Sequence, residues 1–393
     1  MLLKYADFFH SDDEASTQEG GGHGDDKEVS YAGYLQLGKL LDCQKPREST
    51  AHDELLFIIV HQVYELWFKE IIHELDSVME IFETLDMEGR KMLVLSSRLN
   101  RILKIQNLLR DQVVIMETMT PLDFMKFRDH LVPASGFHSL QFRLIENKLG
   151  IKKDQRSKCK SQEYRSQFDS GDRKILKQSE EETSLLQRVQ EWLERTPGLE
   201  AFWKKYKESV QDMLDAMETE AKTLEEVNKQ KNHFETILCE EKHNQRIARG
   251  ERRFSHKAIQ GALMIFFYRD EPGFSLPFQI LQLLMDIDSL LLKWRYDHSM
   301  MAQRMIGSKV GTMGSSGYQY LKSTVSDRYK VFVDLFNLSN FFIPLDRIPP
   351  LSSSIKEGLD PALLMNGNLN KDNSNLRSLN EKEGHVTSSD CEG

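Results

Sequence analysis

The sequence predicts an all-α protein: one large helical body with a pocket between long helices and a polar tail at each end. Three observations lead there. Apolar residues recur at steps of three and four almost throughout residues 30–351, the repeat of one helical face. Alternating strand patterns and Asn-Gly hairpins within apolar runs are missing from the same stretch, which removes the usual signs of a sheet. Thr-Pro, Gly and Pro-Pro steps then punctuate the periodic segments where helices should begin and end.

The first long helix is expected just before His52, with Thr50 and Asp53 spaced as a capping box. Its face runs Phe57, His61, Tyr64, Phe68, Ile71 and Leu75. A second is expected over Leu93 to Glu117, then a short one capped by Thr120 with Pro121 in its first turn and stopped by Pro133. Phe137 to Leu149 should follow, ended by Gly150, and then Leu185 to Leu193, Glu200 to Arg246 and His256 to Tyr268. The clearest stripe, Leu284, Ile287, Leu291, Trp294, His298, Met301 and Met305, belongs to a helix opened by Ser275 and Pro277 and closed by Gly307. Asp327 to Asn337 is the last expected helix.

The ends read differently. Residues 1–29, acidic and Gly-rich, and 352–393, rich in Ser, Asn and Gly, have too little apolar surface to offset the entropy of ordering and are expected to be disordered tails. The polar stretch 152–181 is expected to be a surface excursion from the body. With 39% hydrophobic and 29% charged residues, collagen-like, wholly disordered and disulfide-scaffold classes are excluded. Sixty-one acidic against 52 basic residues leave a net charge of −9, which disfavours nucleic acid or anionic lipid as a partner. Apolar runs such as Leu55 to Val60 and Ala262 to Tyr268 fall far short of the ~20 residues of a membrane span. No secretory signal can be drawn near Met1, and Cys43, Cys159, Cys239 and Cys391 form no CxxC, so a reduced, cytosolic protein is expected.

Two histidines occupy apolar faces of long helices, His61 and His298. Alone, either reads as a buried imidazole satisfied by a backbone carbonyl. Together, in an aromatic and Met-rich crevice, they suit a haem: one neutral imidazole as axial ligand, the other as the polar group on the open side. Behind the Thr120 cap, Phe124, Arg128 and Leu131 share a face. That is either a snorkelling Arg or a bidentate carboxylate clamp beside an apolar pocket, which suits an amino acid with a bulky side chain. The loop Gly311-Thr312-Met313-Gly314-Ser315-Ser316-Gly317 matches neither a dinucleotide fingerprint nor a Walker motif. Glu70 with His73 and Glu240 with His243 are ExxH pairs of the di-iron kind. The second lies in a run without an apolar face and His73 falls off the His61 stripe, so both pairs are assigned to a solvated surface.

These segments also carry a family resemblance. His52-Asp53-Glu54, Phe57-Ile-Ile-Val-His61-Gln-Val-Tyr-Glu-Leu-Trp-Phe68, Glu117-Thr-Met-Thr-Pro-Leu-Asp-Phe124, Pro133-Ala-Ser-Gly-Phe137, Gly250-Glu-Arg-Arg253, Gln260-Gly-Ala-Leu-Met264, Lys293-Trp-Arg-Tyr296 and Ser323-Thr-Val-Ser-Asp-Arg-Tyr-Lys330 resemble tryptophan 2,3-dioxygenase from about Ser30 to Pro350. The resemblance implies a haem-dependent oxidoreductase that inserts both atoms of O₂ across the indole C2=C3 bond of L-tryptophan. The product would be N-formyl-L-kynurenine, the first step of tryptophan degradation by the kynurenine pathway. It implies a b-type haem whose ferrous iron is held by His298, with Ser135 and Gly136 against the haem edge. By the same resemblance His61 bonds the indole N–H, and Arg128 pairs with the substrate carboxylate. Thr312 contacts the carboxylate and ammonium, while Phe57, Phe124 and Leu131 wall the indole. Tyr31 and Tyr34 match a pair that completes a neighbouring subunit's pocket, which implies a homotetramer built as a dimer of dimers. The sequence departs from the family at Met313, where the loop usually has glycine. The rival readings are a non-catalytic helical protein that binds haem and O₂, and a silent scaffold.

Overall fold

The computed structural model describes residues 29–84, 89–157, 163–219, 223–309 and 317–351. Among these the chain is all-α, with no strand. A short unit ends at Lys45 and holds α1 (Tyr31–Leu35) and α2 (Leu37–Leu41). The Ser30 hydroxyl accepts from the Gly33 N–H at 3.1 Å to start α1.

The large unit, from Pro46 onward, is built on three long helices: α3 (Glu54–Glu83), α4 (Gly89–Met116) and, much later, α13 (Pro272–Ile306). Between α4 and α13 come α5 (Pro121–Phe127), α6 (Leu140–Leu149), α7 (Ser170–Glu181), α8 (Leu185–Leu193), α9 (Leu199–Thr219), α10 (Leu224–Leu238), α11 (Glu240–Ala248) and α12 (His256–Phe267). Beyond α13 come α14 (Gly317–Ser323) and α15 (Val333–Phe336). Helix α4 packs along both α3 and α13. The predicted faces are the ones buried: Phe68, Ile71 and Leu75 of α3 and Leu284, Ile287 and Leu291 of α13 enter one core. Each large apolar side chain buried there stabilises the fold by about 1.5–3 kcal/mol.

Several element ends differ from the sequence reading, each for a local reason. Helix α3 starts at Glu54, and Thr50 does not cap it: the Thr50 hydroxyl donates to Glu48 at 2.6 Å. The buried Glu54 carboxylate ties down the incoming chain instead, accepting from the Arg47 and Glu48 N–H groups at 2.9 and 2.8 Å. Thr120 does cap α5, accepting from the Asp123 N–H at 3.2 Å with Pro121 in the first turn. Helix α6 starts three residues later than expected, after a 3₁₀ turn at Gly136–His138. It ends at Gly150, whose φ of 117° is open to glycine. The predicted run from Glu200 to Arg246 is three helices, with Thr223 and Glu226 forming a capping box that restarts the chain at α10.

The expected helix from Asp327 to Asn337 is broken. Asp288, buried on α13, accepts from the N–H of Val331 at 3.0 Å and of Phe332 at 2.5 Å, so those amides are taken by a side chain from another helix. The stretch read as a polar excursion contains the twelve residues of α7 and buries Tyr164, Phe168 and Leu176 against Phe137. Helix α13 is long and apolar enough to cross a bilayer by composition. It is instead the core helix of this unit, with Asp288 and Arg295 buried along it. Close approach of α12 to α8 depends on Gly261, where a Cβ would lie 2.2 Å from the Leu193 carbonyl oxygen.

Candidate active site between the long helices

The spacing that buries α3 and α13 also aims a few polar groups at one cavity of about 340 Å³, within the size range of small-molecule sites. From α3 come Phe57, Val60, His61, Tyr64 and Phe68, one face at steps of three and four. From α13 come Trp294, Arg295, His298, Met301 and Ala302. Phe124 of α5 and Arg128 and Leu131 of the 3₁₀ turn that follows close one wall. Ala134, Ser135, Gly136 and Phe137 form another, with Ser139, Phe142 and Arg143 at the start of α6. Gly317, Tyr320, Leu321 and Thr324, on and just beyond α14, also line it.

The apolar character is concentrated around Phe57. Its ring lies 5.9 Å from Phe124 and 5.5 Å from Phe127, and those two meet edge to face at 5.4 Å, the spacing favoured by aromatic quadrupoles. Leu131 and Met301 pack into the same cluster. Ser135 shapes the turn behind Gly136 by accepting from the Phe137 N–H at 3.3 Å.

Burial pulls His298 down to about 4, reinforced by the neighbouring His61 and the Arg295 charge. Its ring sits 5.2 Å from that of Trp294. His61 opens onto the cavity, and burial lowers its pKa too, against the opposing effects of its hydrogen bond to Phe57 and the charge of Glu65. The His61 Nδ1–H donates to the Phe57 carbonyl one turn back at 2.7 Å. In the neutral ring that assigns the lone pair to Nε2. His61, expected from sequence to be the polar group on the open side, thus presents Nε2 as a hydrogen-bond acceptor. Tyr64, pushed up by burial, donates its hydroxyl to the Leu109 carbonyl at 2.6 Å and holds α3 to α4 beside the cavity.

Phe57, His61, Phe124, Arg128, Leu131, Ser135, Gly136 and His298 therefore converge on one cavity although they span most of the chain. Thr312, with Met313, lies outside the described residues. Tyr31 and Tyr34 lie on α1 in the short unit, 62% and 75% exposed. Tyr64, Trp294, Arg143, Arg295 and Tyr320 also line the cavity without having been singled out. The Arg143 and Glu146 pair among the apolar residues of α6 was the available signal, since such charges are seldom buried unless paired.

One assignment is corrected. His243 is not on a solvated surface: it is fully buried, with Nε2 donating to the Phe254 carbonyl at 3.0 Å and Nδ1 accepting from Arg252. Burial lowers its pKa to about 4, which makes it a satisfied core histidine. His73 is exposed, and among the described residues no group of three or more His, Cys, Asp or Glu is placed to hold a metal ion.

Residues 15–342 match the profile of a family described as Tryptophan 2,3-dioxygenase. A protein of Anopheles gambiae named "Tryptophan 2,3-dioxygenase" is 52% identical over 366 residues, 88% of this chain and 93% of the relative. Proteins of the same name from Aedes aegypti and Mayetiola destructor are 53% and 50% identical, covering 86% and 87% of this chain and 91% and 93% of their own lengths.

Proposed function

The chain belongs to the tryptophan 2,3-dioxygenase family, and from that premise we propose that its cavity joins O₂ to the indole ring of L-tryptophan with the help of a b-type haem held by His298. It is an oxidoreductase, a dioxygenase of tryptophan breakdown. One observation carries the finer reading: two imidazoles from different helices, one with its Nδ1 taken by a backbone carbonyl, open onto a single aromatic cavity.

The residues fit a haem. His298 has its lone pair available because burial keeps the proton off it, as a metal-ligating imidazole requires. Aromatic and Met side chains supply dispersion contacts for a flat macrocycle, and guanidinium groups in the lining can meet its carboxylates. When bound, the haem supplies the iron chemistry that makes O₂ reactive toward an electron-rich double bond.

The chain's own residues do the rest. Phe57, Phe124 and Leu131 hold the indole and keep water from it, while Arg128 pairs with the amino-acid carboxylate, a bidentate match. His61 Nε2 accepts the indole N–H and fixes the orientation of the ring. Confining the reactants turns a rare encounter into an intramolecular step. The C2=C3 bond is cleaved and each carbon receives one oxygen atom, so tryptophan plus O₂ balances to N-formyl-L-kynurenine without an external reductant. Ser135 and Gly136 would line the edge of the haem site, and the family resemblance assigns Thr312 to the substrate's carboxylate and ammonium.

We place the protein in the cytosol, where four cysteines without a CxxC pair would stay reduced. We assemble it as a homotetramer, a dimer of dimers, in which the exposed Tyr31 and Tyr34 reach a neighbouring subunit's pocket. The test is spectroscopic. Purified protein should show a Soret band, and the reduced form under air should produce the absorbance of N-formylkynurenine when L-tryptophan is added. A Soret band without that product supports an O₂ carrier, and folded protein without the band refutes the haem reading.

A further inference from the structure

Helix α6 buries three polar residues on one face, Arg143, Glu146 and Asn147, the i, i+3, i+4 pattern of a single side of a helix. Glu146 is fully enclosed and is shared by three guanidinium groups. Arg143 Nη1 donates to it at 3.0 Å, Arg295 Nη2 from α13 donates at 2.5 Å, and Arg156 also pairs with it. The side chains of Arg143, Arg156 and Arg295 are 6%, 5% and 4% exposed. Three positive charges against one negative leave a surplus of two among side chains that are almost wholly buried. Among the described residues no second carboxylate is ion-paired with any of the three.

The surplus is directional. Arg156 is not among the residues that line the cavity: its guanidinium is tied to Asn147 Oδ1 at 2.6 Å and lies 4.4 Å from the centre of the Tyr164 ring. Arg143 and Arg295 line the cavity. Each guanidinium carbon lies 4.4 Å from the centre of an aromatic ring, Arg143 over Phe137 and Arg295 over Tyr329. Arg143 also reaches the Tyr320 hydroxyl at 3.5 Å. Its Nε is buried without a hydrogen-bond partner. Glu65, the acidic residue that lines the cavity, is engaged by Gln141 at 2.9 Å.

A fold seldom retains unbalanced buried charge unless something else supplies the counter-charge. We infer that Arg143 and Arg295, backed by Glu146 and Arg156, form a cradle for a dianion, the two propionate carboxylates of the porphyrin. Two rigid forks face two carboxylates, the planar bidentate match that guanidinium makes. The inference rests on the haem reading and adds residues and charge selectivity to it. Arg128, from the 3₁₀ turn that follows α5, keeps the substrate role proposed above.

The experiment measures transfer of porphyrin from the holoenzyme to an excess of a haem-scavenging protein, for the wild type, Arg143→Gln and Arg295→Gln, each loaded with hemin or with hemin dimethyl ester. Each substitution should speed hemin loss by about tenfold or more, as expected when a hydrogen-bonded charge partner is removed. With the neutral diester, wild type and variants should release at the same rate. Equal acceleration for both porphyrins would mean a structural role and would overturn the cradle, and so would unchanged hemin loss. A variant that keeps its hemin but loses the tryptophan-induced Soret shift would assign the arginine to substrate, overturning it as well. Should either variant not fold, the wild type decides alone, because identical release of acid and diester refutes carboxylate capture. Absence of a Soret complex with both porphyrins would sink the haem reading itself, a distinguishable outcome.

Discussion

Glu146→Gln is nearly isosteric and changes one thing, the charge at the centre of the three-arginine cluster. The carboxylate is fully buried, so solvent screening does not discount the effect. Burial alone would raise its pKa, but Arg156, Arg143 and Arg295 outweigh that and hold it well below its ordinary 4.5. The same interaction holds Arg143 above its ordinary value despite burial. Removing one partner of a buried ion pair costs about 3–5 kcal/mol, and here three guanidiniums would be left facing one another. With an unfolding entropy of ~2 cal/mol/K per residue for a folded body of this size, that is a fall in Tm of roughly 5–8 °C. Differential scanning calorimetry at fixed protein concentration and pH 7 measures it. The sign with pH is also set. A carboxyl depressed in the folded state stabilises at pH above its unfolded value, and the contribution fades as pH drops below about 4.5. The gap between wild type and variant should therefore narrow on acidification. A variant within about 1 kcal/mol of wild type at pH 7, or a gap independent of pH, would show that the cluster does not carry this energy.

Replacing His61 with Ala should weaken turnover without abolishing it, since on the proposed reading the residue orients the ring and no strong base is required. Because burial lowers the His61 pKa, the wild-type KM for tryptophan should not change with pH above about 6.5, and a titration step between pH 7 and 8 would contradict this. Arg128→Ala should raise KM by a factor corresponding to about 2–5 kcal/mol, the cost of leaving a carboxylate uncompensated in an apolar pocket; unchanged affinity in steady-state kinetics refutes the assignment. His298→Ala should yield folded protein without a Soret band, and retention of the band rules out His298 as the ligand. Gly261→Ala puts a methyl 2.2 Å from the Leu193 carbonyl and should destabilise by about 1–3 kcal/mol, whereas an unchanged urea midpoint would show that α8 and α12 can separate freely.

Much of the fold was legible because helical periodicity is local. The stripe from Leu284 to Met305, the Thr120 cap and the Gly150 stop each depend on residues within a few positions, and all appear in α13, α5 and α6. The break at Val331 and Phe332 was not legible: it is made by Asp288, 43 and 44 positions away in sequence. His243 was misread for the same reason. Its own neighbours in α11 are charged, and its burial comes from Phe254 and Arg252.

The amino-acid order by itself determined the helical class, which faces are apolar, and that His61, Arg128 and His298 are out of place on them, because side-chain spacing along a helix is a one-dimensional property. Only the tertiary structure decided that these residues open onto one cavity, that His61 Nδ1 is taken by Phe57 so that Nε2 remains to accept, and that three arginines converge on Glu146. The physical reason is that charge balance and lone-pair direction depend on distances between helices far apart in the chain, which no local pattern contains.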